Sequence, residues 1–151
     1  MLELSSRLTN LAEVDGAVEK FVHKTNKYVL RGGAQAMAQL FYDEARANAP
    51  VGNKGHWFYG THQKYFFPAG TLKAAIYQVF SKDRSTGYRF AYQVSWNHQK
   101  APYGFMVEYG TSRAPASPFM RPAYAAMRGQ VIAEAQQRMR KLMSAGRGEL
   151  L

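Results

Sequence analysis

The sequence predicts a single α+β domain: a long N-terminal helix, a small antiparallel β-sheet and a C-terminal helix. Apolar residues recur at three- and four-residue steps near both ends of the chain, and a strict two-residue alternation occupies the middle. The length of 151 residues fits one domain, and a hydrophobic fraction of 46% with 14% aromatic residues is enough for a core.

The first element is carried by Leu8, Leu11, Val14, Val18, Phe21, Thr25 and Tyr28, which fall along one side of a helix. Asn10 with Glu13 has the form of a capping box, so the firm part of the helix is expected from about residue 10. Gly32-Gly33 should kink or break it and serve as a hinge, since each glycine costs a helix interior roughly 1 kcal/mol relative to alanine. Ala34, Met37, Ala38, Phe41 and Ala45 resume the spacing, giving a second helix from about Gly33 to Asn48 that Pro50 closes. Val51 to Gly70 has no helical period, and its residues 53–69 carry Trp57-Phe58-Tyr59 and Tyr65-Phe66-Phe67, which suits a long loop or a β-hairpin: either a hairpin or a segment that orders against another subunit is expected. Leu72 to Phe80 reads as strand or short helix, but Tyr88, Phe90, Tyr92, Val94 and Trp96 alternate with polar or small residues as a half-buried strand does. Ser81 to Gly87 then turns this strand antiparallel to Ala74–Phe80, in a hairpin spanning about 72–97. A short helix is expected at about 103–108, stopped by Gly110. After Pro115, a last helix over about 118–143 starts between Pro118 and Pro122, with Ala123, Met127, Val131, Ala135, Met139 and Leu142 as its apolar stripe. The methionines at 120, 127, 139 and 143 belong to core or interface packing, and Ser144 to Leu151 to a frayed tail.

The absence of cysteine excludes disulfides, thiolate zinc sites and cysteine nucleophiles. Neither a membrane-spanning run nor a signal peptide is present, so a cytoplasmic protein without a membrane partner is expected. The net charge of +10 is unevenly placed: Met1 to Pro50 is balanced, while Val51 to Leu151 holds fourteen basic against four acidic residues. Lys82, Arg84, Arg89, Lys100 and Arg113 are the candidate contacts to DNA or to an acidic partner.

Groups for catalysis are sparse. His56 and His62 share the aromatic segment, but no carboxylate or cysteine nearby completes a metal set, so neither metal nor cofactor is expected. His23 and His98 read as surface residues, and no phosphate-binding glycine spacing occurs. Glu108 either acts as a general base or, the favoured reading, accepts hydrogen bonds from an arginine or from turn amides and fixes its loop. Trp57, Phe58, Tyr59, Tyr65, Phe66 and Phe67 either stack single-stranded bases or anchor a subunit interface, and the few cations among them favour the interface. A small nuclease or toxin using His56, His62 or Glu108 is the least favoured class, because those groups are scattered.

Four ordered blocks carry a resemblance. Ala47-Asn48-Ala49-Pro50-Val51-Gly52, Gly70-Thr71-Leu72-Lys73-Ala74-Ala75-Ile76, Val107-Glu108-Tyr109-Gly110-Thr111-Ser112 and Ala116-Ser117-Pro118-Phe119-Met120-Arg121-Pro122-Ala123 resemble the neck or tail-completion proteins of long-tailed bacteriophages, the group that includes lambda minor tail protein Z. The resemblance spans roughly Gly33 to Met139, and the last two blocks are its most specific part. It implies a structural, non-enzymatic virion protein, made in the host cytoplasm and assembled as a homo-oligomeric ring of six or twelve copies. That ring would join the head-closure or portal-adaptor protein to the tail terminator and tube, with DNA in its channel. Pro50, Gly70, Leu72, Glu108, Gly110, Thr111, Pro118, Phe119, Arg121 and Pro122 are the scaffold positions of the four blocks. Asn53 to Ala69 depart from the family, which usually passes from the first block to the second in a handful of residues.

Overall fold

The computed structural model describes residues 2–148, and side chains from 16 to 145 apart from that of residue 21. It is α+β, with elements in the order α1 (Leu2–Asn48), β1 (His56–Tyr59), β2 (Lys64–Phe67), α2 (Thr71–Ala75), β3 (Ile76–Ser81), β4 (Ala91–Trp96), α3 (Gly104–Tyr109), α4 (Met120–Met127) and α5 (Val131–Gly148). Strands β1 and β2 pair antiparallel, as do β3 and β4, in two separate two-stranded sheets.

Helix α1 is continuous and only slightly bent, so the expected break at Gly32-Gly33 does not occur. The two glycines admit a neighbour instead. A Cβ on Gly33 would stand 2.8 Å from Met139 Cγ, and one on Gly32 would collide with Leu142. Helices α4 and α5 both run back along α1, so that Phe41 meets Tyr124 while Gly33 meets Met139 and Gly32 meets Leu142 further along. The absence of two side chains lets α5 approach α1 closely, and packing across the crossing keeps the helix intact despite its low local propensity. Asn10 and Glu13, the expected capping box, lie outside the residues whose side chains are described. The helix itself starts at Leu2.

The core is small and sits where the C-terminal end of α1 meets α2, β3 and the loop after β4. Ala49, Leu72, Ala75, Ile76, Ala101, Tyr103 and Phe119 are buried there, with Phe58, Phe67, Val94 and Trp96 packed around them. The chain enters this region as a helical turn, Thr71–Ala75, and continues directly as β3 from Ile76, where a strand from Ala74 was expected. Its partner starts at Ala91 and not at Tyr88. Ser85 Oγ donates to the Ser81 carbonyl at 2.6 Å and accepts from the Ala91 amide at 3.0 Å, which ties off the turn. The Thr86 amide donates to the Arg89 carbonyl at 2.7 Å, so Tyr88 stays outside the ladder and 73% exposed.

The C-terminal helix expected over 118–143 is two helices. Helix α4 ends at Met127, and α5 begins at Val131 after a turn through Arg128, Gly129 and Gln130. Both remain on one side of α1, so the apolar stripe survives the break. Val18, Val22 and Tyr28 on α1 and several aromatic residues of β1 and β2 are exposed.

Candidate assembly surfaces and the loop that supports them

The third and fourth sequence blocks meet at a buried carboxylate. Short helix α3 holds Glu108, 1% exposed, in its last turn, and Gly110 turns the chain at φ 77°, a left-handed value that favours glycine. A Cβ there would stand 2.8 Å from the Ala116 amide nitrogen. Thr111 closes the loop: its amide donates to the Ala114 carbonyl at 2.8 Å, and its hydroxyl accepts from the amides of Arg113 and Ala114. The Ser117 amide then donates to the Val107 carbonyl at 2.8 Å. This folded loop carries Pro118 and Phe119 back over α3 and presents the first turn of α4 to Glu108.

Glu108 takes the place of a capping side chain that Phe119 cannot supply. Its Oε2 accepts from the amides of Phe119 at 2.7 Å and Met120 at 3.0 Å. Its Oε1 accepts from the Arg121 amide at 3.0 Å and from Arg121 Nε at 3.1 Å. Arg121 also donates through Nη2 to the Glu108 carbonyl at 2.8 Å and lies over the Tyr109 ring, 4.7 Å from its centroid. A carboxylate offers about four lone-pair directions, and all are used here. Burial by itself raises the carboxyl, but the hydrogen bonds from Met120, Phe119 and Arg121 outweigh it and hold Glu108 below the usual carboxylate range. No lone pair remains for proton abstraction, so the geometry is that of a loop anchor and not of a general base. Pro122 sits in the first turn of α4, where a missing amide hydrogen leaves no helical bond unmade.

The first two blocks meet beside the same core. Pro50 ends the helix that Ala49 anchors, and Gly70, at φ 82°, enters α2 so that Leu72 is buried at 3% exposure. Between them the segment 53–69 is a hairpin, closed by the Gly60 amide on the Gln63 carbonyl at 3.0 Å. The register pairs Trp57 with Phe66 and Tyr59 with Lys64, so these four share one face, while His56, Phe58, Tyr65 and Phe67 share the other. The inner face is anchored: the rings of His56 and Phe67 lie 4.4 and 5.1 Å from that of Tyr103, and Phe58 packs on the core. On the outer face Trp57, Tyr59 and Phe66 are 58, 68 and 53% exposed, with the Trp57 and Phe66 rings 5.2 Å apart. The six aromatic residues expected at an interface thus divide: Phe58 and Phe67 serve the protein's own interior, while Tyr65, on the same face, stays 43% exposed.

The five cations expected to contact DNA or an acidic partner do not form one patch. Lys82, Arg84 and Arg89 gather at the tip of the β3–β4 hairpin, all exposed. Lys100 follows β4 at the opposite end, a strand length of roughly 20 Å away, and Arg113 lies on the Thr111 loop. Spacing in sequence could not reveal that separation. Among the described residues no group of three or more potential ligands could hold a metal ion, and no helix is long and apolar enough to cross a membrane. His56 meets the Tyr103 ring edge to face, and His62 lies exposed in the hairpin turn.

Two features escape sequence reasoning. Gly104 lies against the Trp96 indole, with a hypothetical Cβ 2.7 Å from Cδ1. An apolar groove of about 520 Å³ opens between α1, β4 and α4, lined by residues whose spacing reads as ordinary core. The only trace of it in the sequence is Tyr124, which lies off the apolar stripe. No protein-family model matches the chain, and no curated protein or solved structure matches it.

Proposed function

We propose that this chain is a structural subunit of the neck of a tailed bacteriophage, assembling with copies of itself into a ring between the head-closure or portal-adaptor complex and the tail. The observation that carries the reading is the outer face of the β1–β2 hairpin: a Trp57–Phe66 pair and Tyr59, more than half exposed, on a sheet whose other face is fixed to the core. Large aromatic side chains held rigidly and left in water are the usual anchors of protein interfaces. The four sequence blocks support the same reading through their common task, because they build the junction from which the hairpin projects and the Glu108 loop that joins α3 to α4.

Cryo-electron microscopy of the particle that encodes the chain tests this. A ring of its density between portal and tail tube is the expected result, and its absence from the particle would reject the role. A second reading, sequence-independent nucleic-acid binding, is favoured by one observation: Val51 to Gly70 contains no acid, and Lys64 lies over Tyr59 at 5.0 Å beside the exposed aromatic pair. It requires tight oligonucleotide binding by the isolated chain that falls steeply with salt.

A further inference from the structure

We infer that the outer face of the aromatic hairpin seats in the apolar groove between α1, β4 and α4 of a neighbouring copy, so that one surface of the chain is the knob and another the socket of a head-to-tail contact. This rests on the assembly proposed above and names the two surfaces that form it. The groove is lined by Met37 and Phe41 from α1, Tyr92 and Val94 from β4, and Tyr124 and Met127 from α4. Its volume of about 520 Å³ lies within the roughly 300–1,000 Å³ of sites that take up apolar groups, and methionine adapts to what enters.

The chain's own hairpin cannot fill the groove. It leaves α1 beyond Ala49, and His56, Phe58 and Phe67 pin its inner face to Tyr103 and the core. Met37 lies twelve residues earlier on α1, about 18 Å along the helix axis. Knob and socket therefore face different copies, and because they are different surfaces the contact is heterologous, which closes into a ring when the rotation allows.

The areas agree with this. Trp57, Tyr59 and Phe66, at 58, 68 and 53% exposure, leave roughly 270–450 Å² of aromatic surface to cover. That is about half of the ~800 Å² per partner in a stable interface, with the strand edges and groove rim to supply the rest. The chemistry agrees too. Among the described residues lining the groove Arg128 alone is charged, and an arginine there meets the acid-free hairpin as a guanidinium on an aromatic face.

The native chain has no cysteine, so cross-linking can be directed. Phe66→Cys and Met127→Cys are placed separately in the full chain, mixed at assembly concentration and treated with a short bismaleimide. Tyr124→Cys, on a residue 63% exposed, is a second socket site should Met127→Cys disturb folding. Linkage between hairpin and groove variants is expected, with a ladder of multimers when both changes are in one chain. Trp57→Ala with Phe66→Ala should weaken self-association about thirtyfold or more by analytical ultracentrifugation. Linkage of hairpin to hairpin alone, no linkage at all, or abolished oligonucleotide binding with unchanged self-association would each overturn the contact. The two proposals fail separately. A ring in the neck whose hairpins lie elsewhere rejects only this contact, whereas hairpin-to-groove linkage by a chain absent from the particle rejects only the neck role.

Discussion

Helix α4 is capped by a residue eleven positions upstream of its N-cap, and this fixes where the stability of the Glu108 loop resides. Three consecutive amides of a helix N-terminus are buried or half-buried against one carboxylate, so its removal leaves several donors unpaired at once. Glu108→Ala should cost about 3–5 kcal/mol in urea denaturation. The ion pair matters much less, because the Arg121 side chain is 57% exposed; Arg121→Ala should cost about 1 kcal/mol or less. Equal destabilisation by the two changes would show that the charge pair, and not the cap, holds the loop. The pH dependence follows from the sign of the shift. A carboxyl held below its unfolded value contributes fully above the ordinary carboxylate range and gives up its contribution as pH falls through the folded value. Stability should therefore drop on acidification below about pH 4, and Glu108→Gln, already weaker at neutral pH, should flatten that drop. Tyr103 behaves in the opposite sense: burial pushes its phenol up, partly offset by hydrogen bonds from Leu72 and Thr71. It stays neutral in the core, with the Phe67 and His56 rings against it.

Among the elements, glycines with similar sequence signals have different tasks. A hinge at Gly32-Gly33 would gain from alanine, by about 1 kcal/mol of helix propensity. A crossing point would be weakened, because a Cβ on Gly33 comes within 2.8 Å of Met139 Cγ and displacing a packed side chain costs about 1–3 kcal/mol. Gly33→Ala is accordingly expected to lower the melting temperature, with added helicity in the isolated segment but not in the protein. Gly129 is the control. It separates α4 from α5, has negative φ and nothing within 4 Å of a hypothetical Cβ, so Gly129→Ala should stabilise by about 0.4–1 kcal/mol. These cases also show what the sequence can reveal. Helical spacing from Ala34 to Ala45, the alternation from Tyr92 to Trp96 and the stop at Gly110 were legible because each is a local pattern. The continuity of α1 was not, since it depends on Met139 and Leu142, a hundred residues away. Nor was the start of β4 at Ala91, where one serine hydroxyl outweighs the alternation through Tyr88 and Phe90. In the Glu108 loop the acid, the glycine and the arginine stood out in sequence, but the three amides it accepts from follow only from the fold of the loop between them.

For the whole molecule, the cations of the β3–β4 tip and the exposed aromatic pair lie on different protrusions, so the proposed ring contact and a DNA contact can be tested separately. Lys82, Arg84 and Arg89 crowd one hairpin tip, whereas Trp57, Tyr59 and Phe66 cover another hairpin that leaves α1 at its far end. If the β3–β4 tip faces DNA in the assembled channel, its three cations act together. Replacing all three with alanine should then lower the slope of log affinity against log salt by up to about 2.7, at roughly 0.9 for each phosphate no longer neutralised. Changing Lys100 and Arg113 should leave the slope almost unaltered, because they stand a strand length or a separate loop away. Titration of duplex DNA with the assembled protein, by fluorescence anisotropy across salt concentrations, reads this directly. An equal effect from the two sets would mean that neighbouring copies bring the separated cations together, so that the binding surface exists only in the ring. No effect from either set would assign the positive charge to an acidic protein neighbour, and weakened binding on changing Trp57 and Phe66 instead would make the aromatic hairpin a base-stacking platform.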